Sequence, residues 1–357
     1  MTVMCQLTSP MTSVRTASVP VPNQLDISEA DVPKPAGDQV VVQIRYCGVC
    51  GTDVHGFESP DLLPPAVFGH EWTGTIVDAG HSVEAVSAGD RVSVAVGPPC
   101  GRCSMCRSGN GDHCDTVFAE ANGVTPDAPD HGGFSTHLAV SERRVVKLPQ
   151  GLSDEQGALV EPTAVTFRAV RRTTIPLGSV VVVQGAGPIG LLCAQQARHA
   201  GAARTFVVEP VQARREAATA LGFADVFEPG TDFADAVRTV TDGRGADVLF
   251  ECTGVAKLLQ PSAELVRRGG MLSLVGYTGE LSTVSYGDWV ARELRLVASL
   301  AYTHQDFVGA MAMLASGAVE VGPVITGTVG LSELAAVLTD LRSGSTQYAK
   351  VLVDPTR

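Results

Sequence analysis

Four cysteines fall within fifteen residues of this 357-residue chain, at Cys100, Cys103, Cys106 and Cys114. The spacing C-x2-C-x2-C-x7-C lets four thiolates close tetrahedrally on one Zn2+ and leaves no position for a reactant, so the chemistry on offer is structural. Gly101 and Gly109 supply the sharp turns. Similar spacings hold iron–sulfur clusters, and scattered free thiols are a further reading. A cluster does not fit the rest of the chain, and free thiols are rare at this density. A nucleic-acid-binding zinc module conflicts with the formal charge of −12.

A second set of zinc-type donors is dispersed: Cys50 in CGTDVH, His70 and Glu71 in GHE, and Glu161 in LVEPTAV. Three protein ligands with one open position define a catalytic zinc site. Taken singly, a lone Cys or His is more often a core residue and a lone Glu a solvated charge. Their order relative to the next motif is what gives them weight.

That motif is Gly185-Ala186-Gly187-Pro188-Ile189-Gly190, between an apolar run, SVVVVQ, and a helix-like stretch from Ile189 to Ala200. In this context the first Gly makes the turn, the second admits a pyrophosphate, and the third lets helix and strand pack closely. The helix N-terminus offers free N–H groups to the phosphates. Glu209 follows nineteen residues after Gly190. A carboxylate there binds a ribose 2′-OH and repels a 2′-phosphate, which favours NAD over NADP. Arg214 and Arg215 pull the other way, because arginine holds a 2′-phosphate. A bare GxGxxG is otherwise only a tight turn.

The elements that must position these residues change character along the chain. Up to about residue 160, short apolar runs (Val40–Ile44, Gly74–Val77, Arg91–Val96) alternate with Gly, Pro and Asp clusters, as in a β-rich unit. From Ser179, apolar strands alternate with helical segments, the pattern of a doubly wound α/β sheet. The strands are expected at 179–184, 204–209, 247–254, 271–277 and 294–300. Helical segments are expected at 212–221, 307–315 and 332–341, and a last strand at 350–353. The expected organisation is a catalytic unit at 1–164, completed by 302–357, with a metal lobe at about 97–116 and a cofactor unit at 165–301.

Composition narrows the classes. The acidic balance, 38 Asp and Glu against 26 Lys and Arg, argues against nucleic acid and anionic membranes as partners. No run approaches the ~20 apolar residues of a membrane span. MTVMCQLTSPMTSVR lacks a basic segment followed by an apolar core, so no signal peptide and a cytoplasmic location are expected. Nine cysteines, an odd number, argue for metal or catalytic use over a disulfide framework.

CGTDVH, GHEWTG, GDRV at 89–92, the four-cysteine lobe, Glu161-Pro162, GAGPIG, CTG and LVG together resemble the zinc-dependent medium-chain alcohol dehydrogenase family across nearly the whole chain. The detail is most similar to the (R,R)-butanediol, polyol and threonine dehydrogenase branch, with SLAYTHQDF at 299–307 nearest the butanediol enzymes. The resemblance implies an α/β fold, with a GroES-like catalytic domain and a Rossmann cofactor domain. It also implies two zinc ions per chain, a homodimer or homotetramer, and reversible NAD(P)-linked oxidation of a secondary alcohol or vicinal diol. The alternatives are a polyol or L-threonine 3-dehydrogenase and, in a different class, a catalytically silent zinc- and dinucleotide-binding protein.

Roles follow from the same resemblance. Cys50 and His70 are implied as catalytic zinc ligands, with Glu161 or a water-bridged equivalent as the third group and Glu71 entering the coordination sphere during turnover. Asp53 is implied to hold the His70 ring, and Thr52 and His55 to relay the proton. Thr253, Val275 and Leu300 face the nicotinamide. Cys47 competes with Cys50 on spacing but is read as a core residue. Where the polyol branch carries an aromatic and an arginine, this chain has Gly56 and Ala301, which points to a smaller or less polar substrate. Phe57, Trp289 and Tyr302 are candidate pocket residues whose alternative is ordinary packing. His81, His113, His131, His137, His199 and His304 belong to no motif.

Overall fold

The computed structural model describes residues 13–59, 68–121, 132–344 and 348–357. The reading of the N-terminal segment, with Cys5, and that of His131 lie outside the described residues.

The first half supplies strands β1 (Ser13–Val21), β2 (Gln24–Asp31) and β3 (Gln39–Gly48), then helix α1 (Gly51–Glu58). Next come β4 (Glu71–Ala79), β5 (Arg91–Val94), and helices α2 (Ser104–Arg107) and α3 (Asp115–Ala121) in the cysteine-rich lobe. Strands β6 (His137–Ser141) and β7 (Val145–Lys147) lead into helices α4 (Asp154–Ala158) and α5 (Val160–Arg172). The expected boundary at 164/165 therefore falls inside α5.

The second half alternates β8 (Ser179–Gln184), α6 (Pro188–His199), β9 (Ala202–Val208), α7 (Gln212–Ala220), β10 (Asp225–Phe227) and α8 (Thr231–Val240). It continues through β11 (Ala246–Glu251), α9 (Leu259–Leu265), β12 (Val266–Leu274), α10 (Tyr286–Ala291) and β13 (Arg295–Ala298). These strands form a six-stranded sheet in the order β10-β9-β8-β11-β12-β13. Its pairings are all parallel, and the order reverses between β8 and β11, the switch point at whose carboxyl edge such sheets bind ligands. Val181, Val182 and Val183 of β8 are fully buried, as a strand covered on both faces requires.

The tail supplies α11 (His304–Ala315), β14 (Ile325–Gly330), α12 (Leu334–Arg342) and β15 (Lys350–Asp354). Thr303 and Asp306 cap α11 reciprocally. β15 pairs antiparallel with β3, so the tail completes a seven-stranded sheet with the first half. That register carries Lys350, at the head of a strand buried along its whole length, toward the site.

Candidate active site

Cys50 is the N-cap of α1, and Asp53 is its third helical residue. Asp53 Oδ2 accepts the Cys50 amide at 2.7 Å and Oδ1 accepts the Gly69 amide at 2.8 Å. The same Oδ1 lies 3.7 Å from His70 Nδ1. One fully buried carboxylate thus ties the start of α1 to the start of β4, fixing Cys50 and His70 relative to each other. Burial pushes the Asp53 carboxyl up, with His70 and the two amides in partial opposition.

Donor atoms of Cys50, His70 and Glu71 lie within 4.8 Å of one another. Cys50 Sγ points to Thr52 Oγ1 at 3.7 Å. Burial acts to lower the His70 pKa, but the charges of Cys50, Asp53 and Glu161 prevail and raise it. Glu161, buried in the first turn of α5, feels His70 and Glu71, and burial pushes it up to about 7. The half-buried thiol and imidazole and the buried Glu71 carboxylate are a donor set suited to Zn2+; Glu161 lies outside that 4.8 Å grouping.

Lys350 closes the back of this cluster. Its Nζ donates to both Glu71 oxygens, at 2.7 and 2.5 Å, and to the Val49 carbonyl at 2.8 Å. Reading the sequence missed this residue; its signal was a lone lysine heading an otherwise apolar terminal strand. His55, one turn beyond Thr52, is exposed, with Nδ1 3.9 Å from Glu58. Cys47 is fully buried in the core, as is Phe57. Trp289 packs against the parallel-sheet core and donates to Gln260, so both rings make the ordinary packing contacts of the alternative reading. Tyr302 is buried, its phenol raised by burial and by the nearby charge of Glu161.

In the lobe, Cys100, Cys103, Cys106 and Cys114 also gather within 4.8 Å. The Cys103 and Cys114 sulfurs stand 3.9 Å apart, close to the ~3.8 Å edge of a tetrahedron built on zinc–sulfur bonds. Backbone amides of Cys100, Cys103 and Cys106 point at neighbouring sulfurs at 3.3 to 3.4 Å, as suits thiolates.

At the carboxyl edge of the parallel sheet, Gly187 caps α6 and Pro188 is its first residue. A Cβ on Gly190 would stand 1.8 Å from the Gly185 carbonyl, the close packing that requires glycine there. Ile189 lies in the first turn of α6. Glu209 sits just beyond β9; its carboxylate accepts Ala186 N–H at 2.8 Å and Val211 N–H at 3.0 Å. Thr253 follows β11 against Gly185, Val275 follows β12, and Leu300 is exposed beyond β13.

Comparison with known proteins agrees with this arrangement. Residues 36–150 match the alcohol dehydrogenase GroES-like domain, and residues 188–316 match the zinc-binding dehydrogenase family. The chain is 32% identical to 2-dehydro-3-deoxy-L-galactonate 5-dehydrogenase of Pseudoalteromonas atlantica, over 92% of this chain and 95% of that protein. It is 31% identical to sorbitol dehydrogenase of Halalkalibacterium halodurans, with the same two coverages of 92% and 95%. The crystal structure of 2R,3R-butanediol dehydrogenase from Bacillus subtilis superposes with a TM-score of 0.82 at 28% identity, covering 96% of this chain and 99% of that one. The chain therefore belongs to the zinc-dependent medium-chain alcohol dehydrogenase family and is an oxidoreductase of CH–OH groups.

Proposed function

We propose that the protein carries out reversible NAD-linked oxidation of a secondary alcohol or vicinal diol to a ketone, with a catalytic and a structural zinc in each chain. The observation that carries this reading is the convergence of Cys50, at the start of α1, with His70 and Glu71, at the start of β4, within 4.8 Å. Catalytic zinc held by Cys50, His70 and an acidic group from Glu161 or Glu71 supplies Lewis acidity toward the alcohol oxygen, and nicotinamide supplies the hydride acceptor.

The chain's own groups do the rest. Thr52 Oγ1, beside Cys50, takes the substrate hydroxyl proton. It passes its own proton on toward His55, on the same helix and open to water, which exchanges it with solvent. Asp53 holds the imidazole, and Lys350 holds the Glu71 carboxylate through both oxygens. Gly185, Gly187, Pro188, Ile189 and Gly190 cradle the pyrophosphate, and Glu209 takes the ribose. Arg214 is engaged by the Tyr348 carbonyl at 3.0 Å, and Arg215 by the Glu209 and Pro210 carbonyls, which supports NAD over NADP. Thr253, Val275 and Leu300 flank the nicotinamide.

The absence of a basic side chain at Ala301 favours a small diol over a sugar alcohol; the sorbitol and sugar-acid relatives keep polyols as the second reading. Strand membership supports a catalytic unit of 1–164 with 302–357 and a cofactor unit of 165–301. Strand β13 is a sheet edge beside exposed Leu296, Leu300, Tyr286 and Val290, which supports self-association into a homodimer or homotetramer. Among the described residues no helix is long and apolar enough to cross a membrane. The test is a screen of diols, acyloins and simple secondary alcohols with each nicotinamide cofactor, in wild type and C50S. Turnover in the wild type and none in a folded C50S supports the reading; full activity in C50S overturns it.

A further inference from the structure

Glu251 is the last residue of β11, at the carboxyl edge of the parallel sheet, and is 5% exposed. Its carboxylate accepts from Thr253 N at 2.8 Å, from Thr253 Oγ1, and from Gly254 N at 3.2 Å. Its main-chain carbonyl accepts the amides of Val275 and Gly276, at 3.0 and 2.8 Å. One residue therefore fastens both loops that leave β11 and β12. The interlock is tight: a Cβ on Gly276 would lie 2.2 Å from Gly254 N and 2.8 Å from Glu251 Oε2. On its other side Thr253 meets the fingerprint turn, its methyl 3.0 Å from where a Cβ on Gly185 would stand.

The carboxylate receives only uncharged donors. Among the described residues no basic side chain lies within 4.0 Å of it, unlike Asp247, at the other end of the same strand, which pairs with Arg267. A buried negative charge lacking a cation projects its potential onto whatever occupies the adjacent crevice. Oxidised nicotinamide is a cation, and the reduced ring is neutral.

We propose that Glu251 is a positioning residue whose buried charge sets the preference of the crevice for oxidised over reduced nicotinamide, an inference that rests on the cofactor reading above. The carboxylate orders the Thr253 and Val275 loops for both redox forms. Its charge favours only the oxidised form, biasing the bound couple.

The test is calorimetric titration of the zinc-loaded wild type and of E251Q, E251D and T253V with NAD+ and with NADH. E251Q is expected to weaken NAD+ about tenfold more than NADH. That change raises the bound two-electron potential by about 30 mV. E251D, which keeps the charge, is expected to restore the ratio to within about twofold of wild type. Equal weakening of both forms by E251Q overturns the inference, because a merely structural role moves both alike. A wild-type protein that binds neither form overturns the cofactor reading and this inference with it. Should E251Q fail to fold, T253V decides: with one donor gone and the charge kept, the preference for NAD+ must hold or rise, and a fall overturns the proposal.

Discussion

Lys350 and Glu71, 279 residues apart, form a buried ion pair in which one ammonium reaches both carboxylate oxygens, at 2.7 and 2.5 Å. Burial acts to lower the Lys350 pKa, yet the charges of Glu71, Cys50 and Glu161 outweigh it and raise it. The lysine is therefore held as a cation behind the ligand cluster.

Removing it leaves Glu71 buried, charged and next to His70. K350M is expected to lose about 3 to 5 kcal/mol of stability, the cost of stranding one member of a buried pair. It is also expected to lose at least tenfold in kcat/KM, because a released carboxylate competes for the position a substrate oxygen needs. Urea denaturation of K350M, E71Q and the double variant checks the first expectation. The double variant should recover much of the loss, and a strictly additive result would mean that the pair is not coupled.

The cysteine lobe calls for a separate test, because the rest of the chain grips it through Asp112. C103S is expected to lower zinc content from two to one per chain and to depress the melting temperature by several degrees, while retaining the Cys50 site. Metal analysis beside a thermal melt reads both. An unchanged melting temperature would count against a structural role for the lobe.

Asp306 anchors the same region. It is fully buried and accepts from Arg168 at 3.2 Å and from Arg171 at 2.6 Å. Burial pushes its carboxyl up, but the Thr303 and Arg171 donors prevail and hold it below the ordinary 3.8. A group lowered on folding stabilises above its unfolded pKa, and that stability drains as pH falls through the folded value. D306N is therefore expected to be about 3 kcal/mol less stable than wild type near neutrality, with the gap narrowing below about pH 4. Denaturation midpoints across pH 3 to 7 check the slope; a gap independent of pH would remove the electrostatic account.

Much of the site was legible because its chemistry is written in local order. Cys50 and Asp53 share one helical turn, His70 and Glu71 are adjacent, and the fingerprint lies between a run of valines and a proline-started helix. Such patterns need no knowledge of long-range register. Lys350 and Glu251 were not legible for the opposite reason. Lys350 reaches Glu71 only because β15 pairs with β3, a contact that no local spacing encodes. Glu251 resembles any polar residue that ends a buried strand until both loops above it are in place. The aromatic candidates were ambiguous for a similar reason: a large ring fills a core as readily as a pocket, and the core packing of Phe57 and Trp289 is visible only in the fold.

Glu209 gives the sharpest test of cofactor choice, because its two oxygens already serve the backbone. One holds Ala186 in the fingerprint turn at 2.8 Å, and the other holds Val211 ahead of α7 at 3.0 Å. On the cofactor reading proposed above, a ribose hydroxyl donates to a spare lone pair of this pinned carboxylate, and a 2′-phosphate would meet its negative charge. Arg214 lies 4.0 Å from it but donates to Tyr348 O, so it is not free to reward a phosphate. E209A is therefore expected to weaken NAD+ about tenfold by loss of one charged hydrogen bond, and to weaken NADP+ less, since a repulsion disappears with it. Titration with both cofactors should show the NAD+ to NADP+ affinity ratio falling severalfold, by up to about tenfold. R214A, which frees no carboxylate, should leave that ratio within about twofold. If the ratio is unmoved in E209A, selection lies elsewhere in the crevice and the carboxylate serves only to hold the turn.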